Sequence, residues 1–179
     1  MKTPCRVRVV SHCTTLALGF GLWTIATAAH ALLATCAVST TGLVFGTYQP
    51  LTFAGKLTSS DKTSTATVTV ACSGLLQLSG YTLSLGPGNY GPGDRISNRY
   101  LNNTTQSSNF MAFNIFTDAS YTSIWGNGTS GSLINGNTPL IIGSSTLTHT
   151  VYGKIPAGQS TLKAGSFSDS LTITLTYNP

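Results

Sequence analysis

From Cys36 onward, apolar and polar residues alternate in short runs separated by turn residues, and no stretch keeps a helical period. In residues 65–72, Ala66, Val68, Val70 and Cys72 fall on one face and Thr65, Thr67 and Thr69 on the other. One face is therefore core and the other meets water. Tyr81, Leu83 and Leu85 repeat the pattern. The clearest strand is residues 171–177, with Leu171, Ile173, Leu175 and Tyr177 inward and Thr172, Thr174 and Thr176 outward. Residues 43–48 read as a further strand that Pro50 ends. Residues 110–117 are apolar on both faces apart from Asn114, which suits a central strand covered on both sides or one lining a groove. Ile124 and Trp125 run into a Gly-Asn-Gly turn at 126–128, and apolar runs at 140–142 and 147–155 follow. About seven strands at this spacing predict an all-β sandwich with Greek-key links. Residues 86–109, rich in Gly, Pro and Asn, read as a mobile surface loop. There is no second domain, repeat or charged linker in the pattern.

Composition supports the all-β reading. Charged residues make up 7% of the 179, and there is no Glu, the acids being Asp61, Asp94, Asp118 and Asp169. Helix surfaces draw on Glu, Lys, Gln and Arg, so a helical bundle is excluded. Acid–base catalysis and metal sites have few side chains to recruit.

The N-terminus changes the charge picture. Lys2, Arg6 and Arg8 precede an apolar stretch from about Leu16 to Ala29, and Ala29-His30-Ala31 supplies a small-x-small cleavage pattern, with Ala26-Thr27-Ala28 as a second one. Residues 1–31 therefore read as an export signal, leaving 32–179 as one domain. The apolar part, broken by Gly19 and Gly21, is too short for a membrane span of ~20 residues, so no membrane anchor is expected. Without the signal, the net charge falls from +5 to +2, from six scattered bases and four acids. Scattered bases do not make a nucleic-acid surface. Cys5 and Cys13 leave with the signal. In an exported protein the remaining pair, Cys36 and Cys72, reads as a disulfide, the alternative being two buried free thiols.

Other candidate chemistry has a bland reading beside it. Gly86-Pro-Gly-Asn-Tyr-Gly91 fits the dinucleotide pattern G-x-G-x-x-G, but Pro92-Gly93 follows where a helix should open, so successive turns are the better reading. His149, on a strand face with Leu147 and Val151, has Asp169 and many serines as formal triad partners but no nucleophile-elbow motif. No catalytic residue, metal site or cofactor is assigned. Asn102-Asn-Thr104 and Asn127-Gly-Thr129 match glycosylation sequons of the kind Asn-rich turns produce freely. Asp94, Arg95 and Arg99 read as surface loop polarity, with a sugar-binding or ion-pair cluster as the alternative.

The order of motifs carries more than any one of them. Ala34-Thr-Cys36-Ala-Val, Leu43-Val-Phe-Gly-Thr-Tyr48 with Pro50, Thr67-Val-Thr-Val-Ala-Cys-Ser73, Tyr81-Thr-Leu-Ser-Leu85, Trp125-Gly-Asn-Gly128, Val151-Tyr-Gly-Lys-Ile-Pro-Ala157 and Gly165-Ser-Phe-Ser-Asp169 precede a closing Leu171-Thr-Ile-Thr-Leu-Thr-Tyr177. Taken together they resemble the spore coat protein U domain family, which includes pilin subunits of archaic, Csu-type chaperone-usher pili.

The resemblance implies an incomplete immunoglobulin-like sandwich lacking one strand, completed by a donor strand from a partner. It places the family's disulfide on Cys36 and Cys72 and the acceptor groove on Leu171, Ile173, Leu175 and Tyr177, with Phe45 on the first strand pair. The implied partners are a periplasmic pilus chaperone, an outer-membrane usher and other pilin subunits, and the implied location is the cell-surface fimbrium or the medium. Cleavage after Ala31 leaves Leu32-Leu-Ala-Thr35 ahead of Cys36. Cleavage after Ala28 leaves seven residues, ~23 Å fully extended. Polymerising relatives carry a longer alternating segment there, so a subunit that accepts a strand but donates weakly is expected. The competing readings are a tip adhesin that binds through residues 86–109 and 117–137, and a secreted hydrolase using His149.

Overall fold

The computed structural model describes residues 35–54, 58–76, 80–137 and 141–177, and the expected export signal lies outside them. The described residues form strands, turns and irregular segments, with no helix among them. The strands are β1 (Thr35–Thr40), β2 (Lys62–Leu76), β3 (Tyr81–Leu85), β4 (Arg99–Asn103), β5 (Phe110–Phe116), β6 (Ile134–Gly136), β7 (Ile141–Ile155), β8 (Phe167–Ser168) and β9 (Ile173–Tyr177). They make two antiparallel sheets, one in the order β1-β2-β7-β5-β4-β8 and one in the order β6-β3-β9.

The spine is the β2–β7 pair, in register from Lys62↔Ile155 to Leu76↔Ile141. The two apolar runs expected at 140–142 and 147–155 are thus one strand, because β2 offers an unbroken partner along its whole length. Alternation sorts the faces as the sequence predicts: Val68, Val70 and Val151 are buried, while Thr65, Thr146, Thr148 and Thr150 meet solvent. Leu83, Leu85, Ile173 and Leu175 of the smaller sheet close over this inner face.

The larger sheet curls because β5 changes neighbours midway. Residues 110–113 pair with β4, and residues 114–116 pair with β7. Beyond Ile155 a side chain substitutes for β7: the Gln159 amide donates to the Ala112 carbonyl at 3.0 Å and accepts from the Ala112 N–H at 2.7 Å. On the other side, past the end of β4, Trp125 N–H donates to the Ile115 carbonyl at 2.8 Å. The backbone groups of the bend are satisfied by these substitutes, as buried peptide groups require.

Two expectations are corrected. Residues 43–48 do not form a strand. Gly42 and Gly46 take φ of +74° and +70°, left-handed conformations that interrupt extended backbone. Between them the Val44 peptide groups bond the Ser64 hydroxyl instead of a ladder. Residues 86–109 are not one surface loop either, since β4 lies inside the stretch and Ile96, Arg99 and Asn103 are buried.

Candidate functional site

One side of the sandwich carries two edges. Among the described residues β9 pairs only with β3, so it ends the smaller sheet, and β1 pairs only with β2, so it ends the larger one. The two edge strands also contact each other across the gap between sheets. An edge strand presents a row of backbone donors and acceptors that a further strand can take up. Ile173 and Leu175 of β9 point inward and are 3% and 1% exposed. Leu171 precedes the strand and is partly buried against the core. Tyr177 ends it, opposite Tyr81 in register. Phe45 sits elsewhere: its ring packs against Gly153 of β7 and edge-to-face on Phe113 of β5, centroids 6.2 Å apart.

The β1 rim is fixed covalently. Cys36 and Cys72 form a disulfide and are direct partners in the β1–β2 register. Both side chains face the core.

Arg99 is the residue that sequence reasoning misplaced. It is fully buried, where β3, β4, β5 and the Trp125 segment converge. Its Nη1 donates to Asn114 Oδ1 at 2.7 Å and to the Ile96 carbonyl at 3.2 Å. Its Nη2 donates to the carbonyls of Gly86 at 2.9 Å, Trp125 at 3.0 Å and Leu85 at 3.4 Å. Burial pushes its pKa down to about 10, opposed by the negative charges of Asp169 and Asp94, so it stays ionised at neutral pH. Burial raises the pKa of Asp169, against the hydrogen bonds it receives from Ser170 and Asn89. The one available sequence signal was position: Arg99 opens a five-residue stretch that can pair with the apolar run at 110–116.

The remaining candidates resolve into structural roles. His149 Nε2 meets Tyr81 Oη at 2.6 Å, whereas Asp169 is held by Asn89. No hydrogen bond joins His149 to Asp169, so the triad partners are not brought together. Residues 86–88 are irregular and 89–93 bend, with Gly88 N–H donating to the Arg95 carbonyl at 2.8 Å, and no helix opens there. Asp94 caps its own turn, accepting from Ile96 N–H and the Ser97 hydroxyl, and its pKa is lowered by those bonds. Asp118 does the same for residues 120–123; hydrogen bonds from Ser120 and Ser123 hold its carboxyl well below the usual range. Asp61 pairs with Lys154 at 2.7 Å, and that bond with the Ala157 amide lowers its pKa. Among the described residues no three His, Cys, Asp or Glu side chains gather to hold a metal ion.

The family model for the Spore Coat Protein U domain matches residues 22–174. No curated protein matches the chain. Among solved structures, the chain is similar to one in the CsuC–CsuE chaperone–tip adhesion subunit pre-assembly complex from archaic chaperone-usher Csu pili of Acinetobacter baumannii. Identity there is 18% and the TM-score 0.45, over 80% of this chain and 40% of that one. It is also similar to a chaperone–tip adhesin complex of CFA/I fimbriae biogenesis, at 15% identity and a TM-score of 0.40, over 75% of this chain and 39% of that one. The chain therefore spans about two fifths of the length of each solved chain.

Proposed function

The chain belongs to the Spore Coat Protein U domain family, and on that premise we propose that it is an exported structural subunit of a chaperone-usher pilus or surface coat, completed by a strand from a partner. The observation that supports this most directly is the pair of edges on one side of the sandwich. β9 offers a free backbone edge among the described residues, and β1 forms the opposite rim. A strand added along β9 would gain main-chain hydrogen bonds, and for its alternate side chains to reach Ile173 and Leu175, which are already buried, β1 would have to move away from β9. A periplasmic chaperone supplies that strand in transit, an outer-membrane usher exports the subunit, and the next pilin replaces the chaperone. Adhesion and biofilm formation follow from the fibre at the cell surface.

Co-expression tests the reading. Produced alone in the periplasm, the mature chain is expected to aggregate or be degraded; with a cognate chaperone it is expected to purify as a soluble one-to-one complex. A mature chain that is soluble and monomeric with no partner would refute the open-edge model. The same model makes this subunit a distal one that receives a strand but donates weakly, since few residues separate the cleavage sites from Cys36. N-terminal sequencing of the exported protein checks that part, and a mature start upstream of about residue 24 overturns it.

A further inference from the structure

Tyr81 of β3 and His149 of β7 join the two sheets. The phenol and imidazole meet at 2.6 Å between Oη and Nε2, with the rings edge-to-face and centroids 5.8 Å apart. Tyr81 is 3% exposed, and its ring lies over Gly136 of β6 so closely that a Cβ there would collide with it. The phenol packs against Gly136 on one side and meets His149 at its hydroxyl. Tyr81 is also the partner of Tyr177 in the β3–β9 register, so its placement bears on the strand that ends the smaller sheet.

The chemistry of the pair is polarised. Burial raises the pKa of Tyr81, so the phenol keeps its proton. Because His149 is its only hydrogen-bond partner among the described residues, a phenol that accepted would leave its own buried O–H unpaired, so it donates. Burial lowers the pKa of His149, so the imidazole is held neutral. The acceptor is then a bare Nε2, with the ring proton on Nδ1. Protonation puts a hydrogen on Nε2. The phenol must then turn its O–H away and accept, leaving a buried donor without a partner beside a newly charged ring. The groups facing His149 do not supply a substitute. Tyr81 is the one from β3, and the loop after β5 brings Asp118, whose oxygens are tied to Ser120, Thr122 and Ser123. Tyr152 lines the same cleft but lies on the other face of β7, against Tyr121, while Leu133 and Ile134 on the β6 side and Val68 opposite on β2 carry no titratable group.

We propose that the Tyr81–His149 hydrogen bond is an acid-released latch between the two sheets, closed while His149 is neutral and opened by its protonation. The direction follows from linkage. A base whose pKa is lowered by folding contributes its full stability above its unfolded value of about 6.5 and loses it as the pH falls toward the folded value. The latch is a property of the domain itself and holds whether or not β9 takes a partner strand.

Urea unfolding of residues 32–179, refolded from urea and held dilute so that the open edge does not drive aggregation, and followed by the fluorescence of buried Trp125, tests it between pH 7.5 and 5.0. His149 is the only histidine in that span. The unfolding equilibrium constant is expected to rise several-fold on acidification, with a ceiling of about tenfold per pH unit for one proton. His149→Gln, which keeps an acceptor for the phenol, is expected to flatten the dependence, and Tyr81→Phe to shrink it. A His149→Gln slope equal to that of the unaltered protein overturns the proposal. A Tyr81→Phe slope equal to it does too, by assigning the effect to burial alone. Where His149→Gln does not fold, the imidazole proton resonance is compared between the unaltered domain and Tyr81→Phe: a midpoint at or above about 6.5 in the unaltered domain, or the same midpoint in both, overturns the latch, and a midpoint below about 6.5 that shifts in Tyr81→Phe supports it.

Discussion

Replacing Arg99 by Met is expected to lower the folding stability by about 3–5 kcal/mol, because several buried neutral acceptors lose a charged donor at about 1–3 kcal/mol each. Met has similar length and fills much of the same space, so the change isolates the guanidinium from the volume. Five acceptors lose a guanidinium donor at once, the carbonyls of Leu85, Gly86, Ile96 and Trp125 and Asn114 Oδ1, and two of them keep another, Ile96 from the Asn114 amide and Asn114 Oδ1 from Ile115 N–H. Each buried acceptor left unmade costs about 1–3 kcal/mol. Some of that is offset, because burying the cation is itself unfavourable and drives its pKa down to about 10. Lysine restores the charge but not the fork, and one ammonium cannot span carbonyls contributed by three different segments. Arg99→Lys is therefore expected to recover less than half of the loss. Urea unfolding monitored by Trp125 fluorescence measures both, and Trp125 reports locally because its own carbonyl is one of the five acceptors. An Arg99→Met loss below about 1 kcal/mol would show that the network is satisfied by other means.

That residue also marks where the sequence stops being legible. Strands with period-two alternation and a conventional division of labour, such as residues 65–72 and 81–85, are plain because apolar side chains face in and threonines face out. β4 inverts the convention. Its two fully buried positions are Arg99 and Asn103, so a pattern that treats polar residues as solvent-facing reads it as loop. Asn103 is buried for the same reason as Arg99. Its Oδ1 accepts from Thr105 N–H at 3.0 Å and Gln106 N–H at 3.2 Å, shaping the turn that follows. Residues 43–48 fail in the opposite sense. Leu43 and Phe45 pack inward as a strand's alternate residues would and Tyr48 joins them out of that alternation, but left-handed Gly42 and Gly46 and the Ser64 hydroxyl take the place of a ladder. The edge itself was partly visible, since Ile173 and Leu175 stand out by alternation. Which strands lack a neighbour is a non-local fact, set by how β2 and β7 pair along their full length and leave β1 and β9 at the ends of the two sheets.

Removal of the Cys36–Cys72 disulfide is expected to cost about 4 kcal/mol on the chain-entropy model. The bridge closes a loop with a sequence separation of 36 residues, and the unfolded chain regains that freedom when both cysteines are replaced by alanine. The effect has a local component too. β1 is held on one side only among the described residues, through its pairing with β2, and the bridge joins two residues directly opposite in that register. Without it β1 is expected to fray first, and hydrogen exchange at Cys36–Ser39 positions should rise more than at β7. Urea unfolding of the double variant against the oxidised protein gives the size of the loss, and a difference under about 1 kcal/mol would show that the unfolded chain is already constrained by other contacts. The consequence for assembly follows from where disulfides form. Reducing cytosol leaves the thiols free, and an oxidising compartment closes them. On the reading of the chain as an exported subunit, a chain that gains this much stability only on oxidation is expected to stay loosely folded in a reducing cytosol and to acquire a fixed β1 rim in an oxidising compartment. The rim that faces β9 is thus expected to become rigid in the compartment where a partner strand would first be met.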